Sequence, residues 1–192
     1  MEENTRKPDR RIMKSKRAIK KAFLTILSTK DINDITIKNI ADVADVDRKT
    51  VYNYYNGTYE ILNEIENEMV NTINETVRSI NIEGNIGSHE LIFKKISEVV
   101  TSNMEFYNIL MKLSYDSQLI KKLITVFSEY SKKIIAQYKL PEGLTVENAS
   151  IFITSGVLNV YHRWFNSDRT VSFEEVSSQL ATLVASSLGL AK

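Results

Sequence analysis

Apolar residues recur at intervals of three and four along most of the chain, the period of a helix with one buried face. Ile12, Ile19, Phe23 and Ile26 fall in step and predict a first helix that stops near Ser28, before the polar stretch STKDIND. Leu62, Ile65, Met69, Ile73 and Val77 predict a long helix from Tyr59 to Ile80, closed by the Gly84 and Gly87 region. Shorter helices are expected over 89–103 and 104–113. A longer one is expected from Asp116 to Tyr138, carrying Ile120, Leu123, Phe127, Tyr130 and Ile134, and two more over 146–165 and 172–188. Ser172 and Glu175 have the spacing of a capping box. Isoleucine favours strands where it alternates, but here its spacing is helical. Pro8 and Pro141 both fall at predicted boundaries, so residues 9–140 hold no helix-breaking proline. Together with two short helices between residues 36 and 55, the pattern predicts an all-α chain of about nine helices.

Residues 36–55, TIKNIADVADVDRKTVYNYY, carry the densest signal. Thr36 can cap a helix running to Ala44, with Ile37, Ile40 and Ala41 on its inner face. Asp45 and Val46 make a tight connection, and Asp47 can cap a second short helix from Arg48 to Tyr54. Two short helices joined by a three-residue turn form a helix-turn-helix, whose second helix can enter the DNA major groove. Val51 and Tyr55 lie about 40° apart on the helical wheel and define its buried side. Lys49, Thr50 and Asn53 then face outward with the chemistry of base recognition: lysine donates to guanine acceptors, asparagine pairs with adenine, and threonine offers a hydroxyl and a methyl. Tyr52 and Tyr54 flank this face, and their hydroxyls suit phosphate oxygens, contacts that set register.

This segment resembles the DNA-binding domain of the TetR family of transcriptional regulators. The resemblance rests on Thr36, the Ile40–Ala41 pair, the ADVD turn, the RKTVYNYY segment, Asn56 and Glu60-Ile61-Leu62, and spans roughly residues 10–65. It implies an all-helical homodimer with an N-terminal three-helix head that reads palindromic half-sites. The C-terminal body would dimerise and often house a small-molecule pocket. The implied division is a basic leader over 1–9, a DNA-binding domain over 10–58 and a ligand-binding and dimerisation domain over 59–192. Two positions depart from the family. Asp45 stands where glycine is usual, and Thr58 where lysine is common near a phosphate; a hydroxyl at a helix N-terminus can still bind phosphate, without the charge.

A near-neutral total of +1 argues at first against a nucleic-acid partner. Counted by region, residues 1–58 hold 13 basic and 8 acidic side chains, and residues 59–192 hold 12 and 16, so a basic head sits on a mildly acidic body. Nine of the head's cations lie between Arg6 and Lys21. Arg10, Lys14, Arg17 and Lys21 share one face of the first helix, and the leader with Arg10 and Arg11 is expected at phosphate. The phosphate set is completed by Thr36, Arg48, Tyr52, Tyr54 and Thr58. Lys20 and Lys21 are expected to be solvated.

Composition narrows the function further. The chain has 192 residues, no cysteine and only two histidines, which excludes thiol catalysis, disulfides and thiolate or histidine-rich metal sites. There is no P-loop, and paired acids such as Glu64 and Glu68 fall on helix faces that suit solvent, so neither catalysis nor a cofactor or metal is expected. No apolar run reaches membrane-spanning length and no targeting segment is read, so a cytoplasmic protein is expected.

In the body, FITSGVLNVYHRWFN resembles the penultimate helix of some TetR-family bodies. Ala149, Ile153, Gly156, Val160 and Trp164 repeat at helical spacing, as do Phe173, Val176, Leu180 and Leu183. Each stripe suits ordinary core; with the glycine notch and the resemblance they also suit a four-helix dimer contact. Met69, Met104, Tyr107, Met111, Phe127, Tyr130 and Phe152 supply adaptable or amphipathic surfaces for an effector pocket, though a stripe of this kind is more often ordinary core. The functional expectation is a sequence-specific, homodimeric repressor released by a small-molecule effector. The alternative is a co-regulator whose body binds a partner protein.

Overall fold

A computed structural model describes residues 10–80, 88–114, 117–140 and 142–188, without the side chains of 88 and 89. The basic leader, Pro8, Gly84, Gly87, Asp116 and Pro141 lie outside the described residues. Within them the chain forms nine α-helices, one 3-10 turn and no strand. The helices are α1 (Arg10–Leu27), α2 (Ile37–Ala44), α3 (Arg48–Tyr52), α4 (Thr58–Arg78), α5 (Ser88–Ser102), α6 (Met104–Met111), α7 (Gln118–Ile135), α8 (Val146–Phe165) and α9 (Phe173–Ser187), with the 3-10 turn at Ile32–Asp34.

The described helices divide between two compact units, Met1–Glu66 and Asn67–Lys192. The division falls inside α4, and the buried Ile61, Leu62 and Ile65 belong to the first unit. In that unit α1 packs on α2, and Ile19, Phe23, Ile40 and Val51 are fully buried. Ile12 departs from the predicted face and is 41% exposed, lying a full two turns ahead of Ile19.

In the second unit α7 packs on α8 and α5 on α9. Its centre is apolar: Met69, Ile73 and Val77 from α4 are buried, as are Leu119 and Leu123 from α7 and Leu158, Tyr161 and Phe165 from α8. Tyr161 stacks on Phe173 at 4.9 Å between ring centroids, and Trp164 meets Phe173 edge-on at 5.0 Å. Polar ties close the end of this cluster. His162 Nε2 lies 3.0 Å from the Leu113 carbonyl, Asn166 Nδ2 donates to the Met111 carbonyl at 3.1 Å, and the Arg169 guanidinium covers Trp164 at 4.8 Å.

Four helix starts follow the capping rules. Ser117, Thr145 and Ser172 accept from the N–H groups of Ile120, Asn148 and Glu175. Ser172 is capped on one side only, since the Glu175 carboxylate accepts from Gln179 Nε2 instead. The reciprocal capping box forms at Thr36 with Asn39.

Candidate nucleic-acid interface and effector cavities

The helix-turn-helix is built outward from its caps. Thr36 Oγ1 accepts from the Asn39 N–H at 3.2 Å and donates to Asn39 Oδ1 at 2.7 Å, so its one proton is committed within the cap rather than free for phosphate. Asp45 ends α2 in the left-handed conformation (φ 52°, ψ 51°) expected of a glycine position, and its N–H donates to the Ala41 carbonyl. Asp47 stands at the start of α3 with extended backbone, but its side chain makes no capping hydrogen bond, unlike the expectation. Regular α3 ends at Tyr52, two residues earlier than predicted; Asn53 keeps helical dihedrals as its C-cap.

Val51 and Tyr55 are 0% and 1% exposed, as the wheel predicted. Lys49 and Asn53 are exposed and Thr50 is half-buried, on the outward side of the same helix. Tyr52 is exposed, Tyr54 half-buried, and Arg10, Arg11 and Arg48 are exposed. The start of α4 differs from the expectation for Thr58. Glu60 lies in its first turn and accepts from the Asn56 backbone N–H at 2.7 Å and from Asn56 Nδ2 at 2.9 Å, so a phosphate there would meet a carboxylate.

One cluster was missed by the sequence reading. Glu64 on α4 accepts from Lys16 Nζ at 2.6 Å and from Lys20 Nζ at 3.2 Å, and Lys16 also lies 5.1 Å from the centre of the Tyr55 ring. Burial raises the Glu64 carboxyl pKa, but the two lysine hydrogen bonds and their charges outweigh it and hold the group below the usual carboxylate range. Lys20, expected in solvent, is thus tied to α4. Arg10, Lys14, Arg17 and Lys21 do form the predicted exposed stripe. Wheel positions 16, 20 and 64 share no local pattern, so no motif would have paired them.

Among the described residues of the second unit lie two apolar cavities. The larger, about 70 Å³, is walled by α4, α5, α7, α8 and α9, with Tyr130, Ser131, Ile153 and Thr154 in its lining. The smaller, about 30 Å³, is lined by Met69, Tyr107, Met111, Leu123 and Phe173 among others. Ile96, Phe127 and Tyr161 belong to both. Of the expected pocket residues, Met69, Tyr107 and Met111 line the smaller cavity, Tyr130 the larger and Phe127 both. Met104 and Phe152 line neither: Phe152 is 74% exposed, and its place on the wheel is opposite Thr154 and Leu158. Burial raises the Tyr107 phenol to about 12, and that of Tyr161 rises too, against its hydrogen bond to Ser177, so both stand as neutral groups.

The residues of the expected dimer stripes divide between interior and surface. Trp164, Phe173, Val176 and Leu180 are buried in their own unit, with Trp164 Nε1 donating to the Val171 carbonyl, and Ile153 is part of a cavity wall. Gly156, Val160 and Leu183 are exposed, as is Phe152. The inward face of α8 is instead Ser150, Thr154, Leu158, Tyr161 and Phe165, one residue out of register with the apolar stripe. Its polar members are satisfied: Ser131 Oγ lies 2.5 Å from Ser150 Oγ and 3.1 Å from Thr154 Oγ1, and Ser150 donates to the Ser128 carbonyl. A serine and a threonine four apart in an apolar helix were the available signal.

Comparison with known proteins agrees with this architecture. Residues 88–186 match the TetR_C_8 family model, described as a transcriptional regulator C-terminal region. The chain is 23% identical over 166 residues to the HTH-type dhaKLM operon transcriptional activator DhaS of Lactococcus lactis, covering 79% of this chain and 87% of that one. Among solved structures it resembles a TetR-family regulator of Syntrophomonas wolfei (TM-score 0.76, 15% identity, covering 93% and 97% of the two chains). It also resembles NalD, the secondary repressor of the MexAB-OprM efflux pump of Pseudomonas aeruginosa (0.74, 18%, 94% and 98%), and FadR of Bacillus subtilis in complex with stearoyl-CoA (0.71, 17%, 89% and 98%). No described helix is long and apolar enough to cross a membrane. With a family model over more than half its length, the chain belongs to the TetR family of transcriptional regulators.

Proposed function

We propose that the protein is a homodimeric repressor that reads paired DNA half-sites through α3 and leaves them when its second unit takes up a small molecule. The observation that carries the DNA reading is the exposed Lys49 and Asn53, with the half-buried Thr50 beside them, on a short helix anchored from behind by Val51 and Tyr55. Lys49 and Asn53 serve as base readers, and Thr50 adds a methyl and hydroxyl contact. Arg10, Arg11, Arg48, Tyr52 and Tyr54 serve at phosphates. Thr36 supports this set through the first-turn N–H groups its cap leaves open, and Thr58 plays no part in it.

The family relation supports DNA binding, and the two apolar cavities favour a small ligand over a partner protein as the signal. The stearoyl-CoA bound by the similar FadR fold lends the same support. For the dimer, the exposed Phe152, Gly156 and Val160 on α8 and Leu183 on α9 are the surface we assign. Selection of bound sequences from random DNA tests the whole reading. A palindrome with half-sites about one helical turn apart is expected, and Lys49→Ala or Asn53→Ala should each cost about 1–3 kcal/mol on it with relaxed preference at one position. Unchanged binding by both variants would sink the assignment.

A further inference from the structure

Resting on the effector reading above, we propose that the two cavities are one site for an uncharged, slender aliphatic molecule ending in a single hydroxyl or carbonyl oxygen. Phe127 serves as the partition that a longer chain displaces.

The chemistry of the lining carries the first part. Among the described residues, neither cavity is lined by a charged side chain. The larger one is walled by aliphatic groups from five helices, and its polar groups are Tyr130, Ser131, Thr154 and Tyr161. Tyr130 Oη donates to Asn74 Oδ1 at 3.3 Å and Tyr161 Oη to Ser177 Oγ at 3.1 Å. The Ser131 hydroxyl bonds to those of Ser150 and Thr154, and Ser150 donates to the Ser128 carbonyl. Hydroxyls in such a cluster can rotate to offer one donor or one acceptor, which suits a single neutral oxygen. A carboxylate, phosphate or ammonium enclosed here would lose its hydration with no counter-charge in the lining, a cost that neutral chains escape.

The shape carries the second part. Both volumes are far below the roughly 300–1,000 Å³ of pockets for drug-sized ligands, so a bulky polycycle finds no room. The cavities succeed one another along the same helices. On α7 the lining runs from Leu123 through Phe127 to Ile135, and on α8 from Phe165 through Tyr161 to Ile153. Twelve residues of helix rise about 18 Å, so the joined path is long and narrow. Of the three residues shared between the cavities, Ile96 and Tyr161 are buried, and Tyr161 is held by its Ser177 bond and its stack on Phe173. Phe127 is only half-buried and has no such tie among the described contacts, which makes it the movable wall.

The test is calorimetric titration of the full chain with hexan-1-ol, octan-1-ol and decan-1-ol, and with decanoate, decyltrimethylammonium and decanoyl-CoA, backed by displacement of the neutral dye N-phenyl-1-naphthylamine. Affinity should rise with each methylene through decanol, by up to about fourfold where no side chain is displaced, the gain expected for burying each one. The three charged compounds should bind at least tenfold more weakly than decanol. Phe127→Ala should tighten decanol at least fivefold and leave hexanol unchanged. Charged chains that match or exceed decanol, or an affinity flat with chain length, would overturn the ligand assignment; equal effects of Phe127→Ala on all chains would overturn the partition. The wild-type series decides the ligand chemistry even if a variant folds poorly. DNA binding by the ligand-free protein is measured in parallel, and its absence would defeat the regulator reading while leaving the chain-length series to stand or fall by itself.

Discussion

Asp45 holds a left-handed backbone that costs an ordinary side chain about 1–2 kcal/mol, and the short polar side chain of aspartate lessens that cost. The turn therefore discriminates sharply among substitutions. Asp45→Ala should lower the stability of the first unit by about 1 kcal/mol, whereas Asp45→Gly should not lower it, as read by thermal denaturation. Glu64 makes a second prediction. Its folded pKa is depressed, so the stability it contributes is fully present above the ordinary carboxylate value and is lost as pH falls through the folded one. The exposure of this cluster limits the effect. Glu64→Gln should cost under about 1 kcal/mol at neutral pH, and the gap between variant and wild type should close on acidification below about pH 4. Asp45 was readable because one family position demands a special dihedral. The Glu64 cluster was not, since it joins residues 48 and 44 apart in sequence through tertiary packing.

At the scale of elements, periodicity located nearly every described helix, and errors fell where polar residues point inward. On α8 an apolar count selects Ile153, Val160 and Trp164, yet the helix turns Ser150 and Thr154 to the interior because Ser131 and the Ser128 carbonyl satisfy them there. Phe152 is left outside as a result. Hydrophobicity alone cannot register a polar group whose partner arrives from another helix. Caps show the same contrast at the other end of the chain. Thr36 makes its box with Asn39 while Asp47 makes no side-chain cap bond. Thr36→Ala should accordingly cost about 1 kcal/mol and Asp47→Ala no more than about 0.5, measured by urea denaturation of each variant.

For the whole molecule, the division inside α4 means that one helix belongs to both compact units. The dimer surface we assign is outside both cavities, so assembly and ligand uptake are separable by mutation. Phe152→Asp with Val160→Asp should give a monomer in sedimentation equilibrium that still takes up ligand. Loss of simultaneous engagement should weaken its affinity for a full palindrome about a hundredfold or more, while a single half-site is bound as before. A double variant that remains dimeric would move the interface elsewhere.

The two lysines clasped by Glu64 have a consequence for how binding responds to ionic strength. Each phosphate neutralised on duplex DNA releases condensed counterions and contributes about −0.9 to the slope of log affinity against log salt. Lys16 and Lys20 are already matched by a carboxylate, so they should add little to that slope, while Arg10, Lys14 and Arg17 remain exposed to add theirs. Glu64 in this view caps the head's indiscriminate attraction to DNA. Removing its charge should steepen the salt dependence and tighten binding to scrambled duplex more than to the operator, eroding the ratio by which one sequence is found among many.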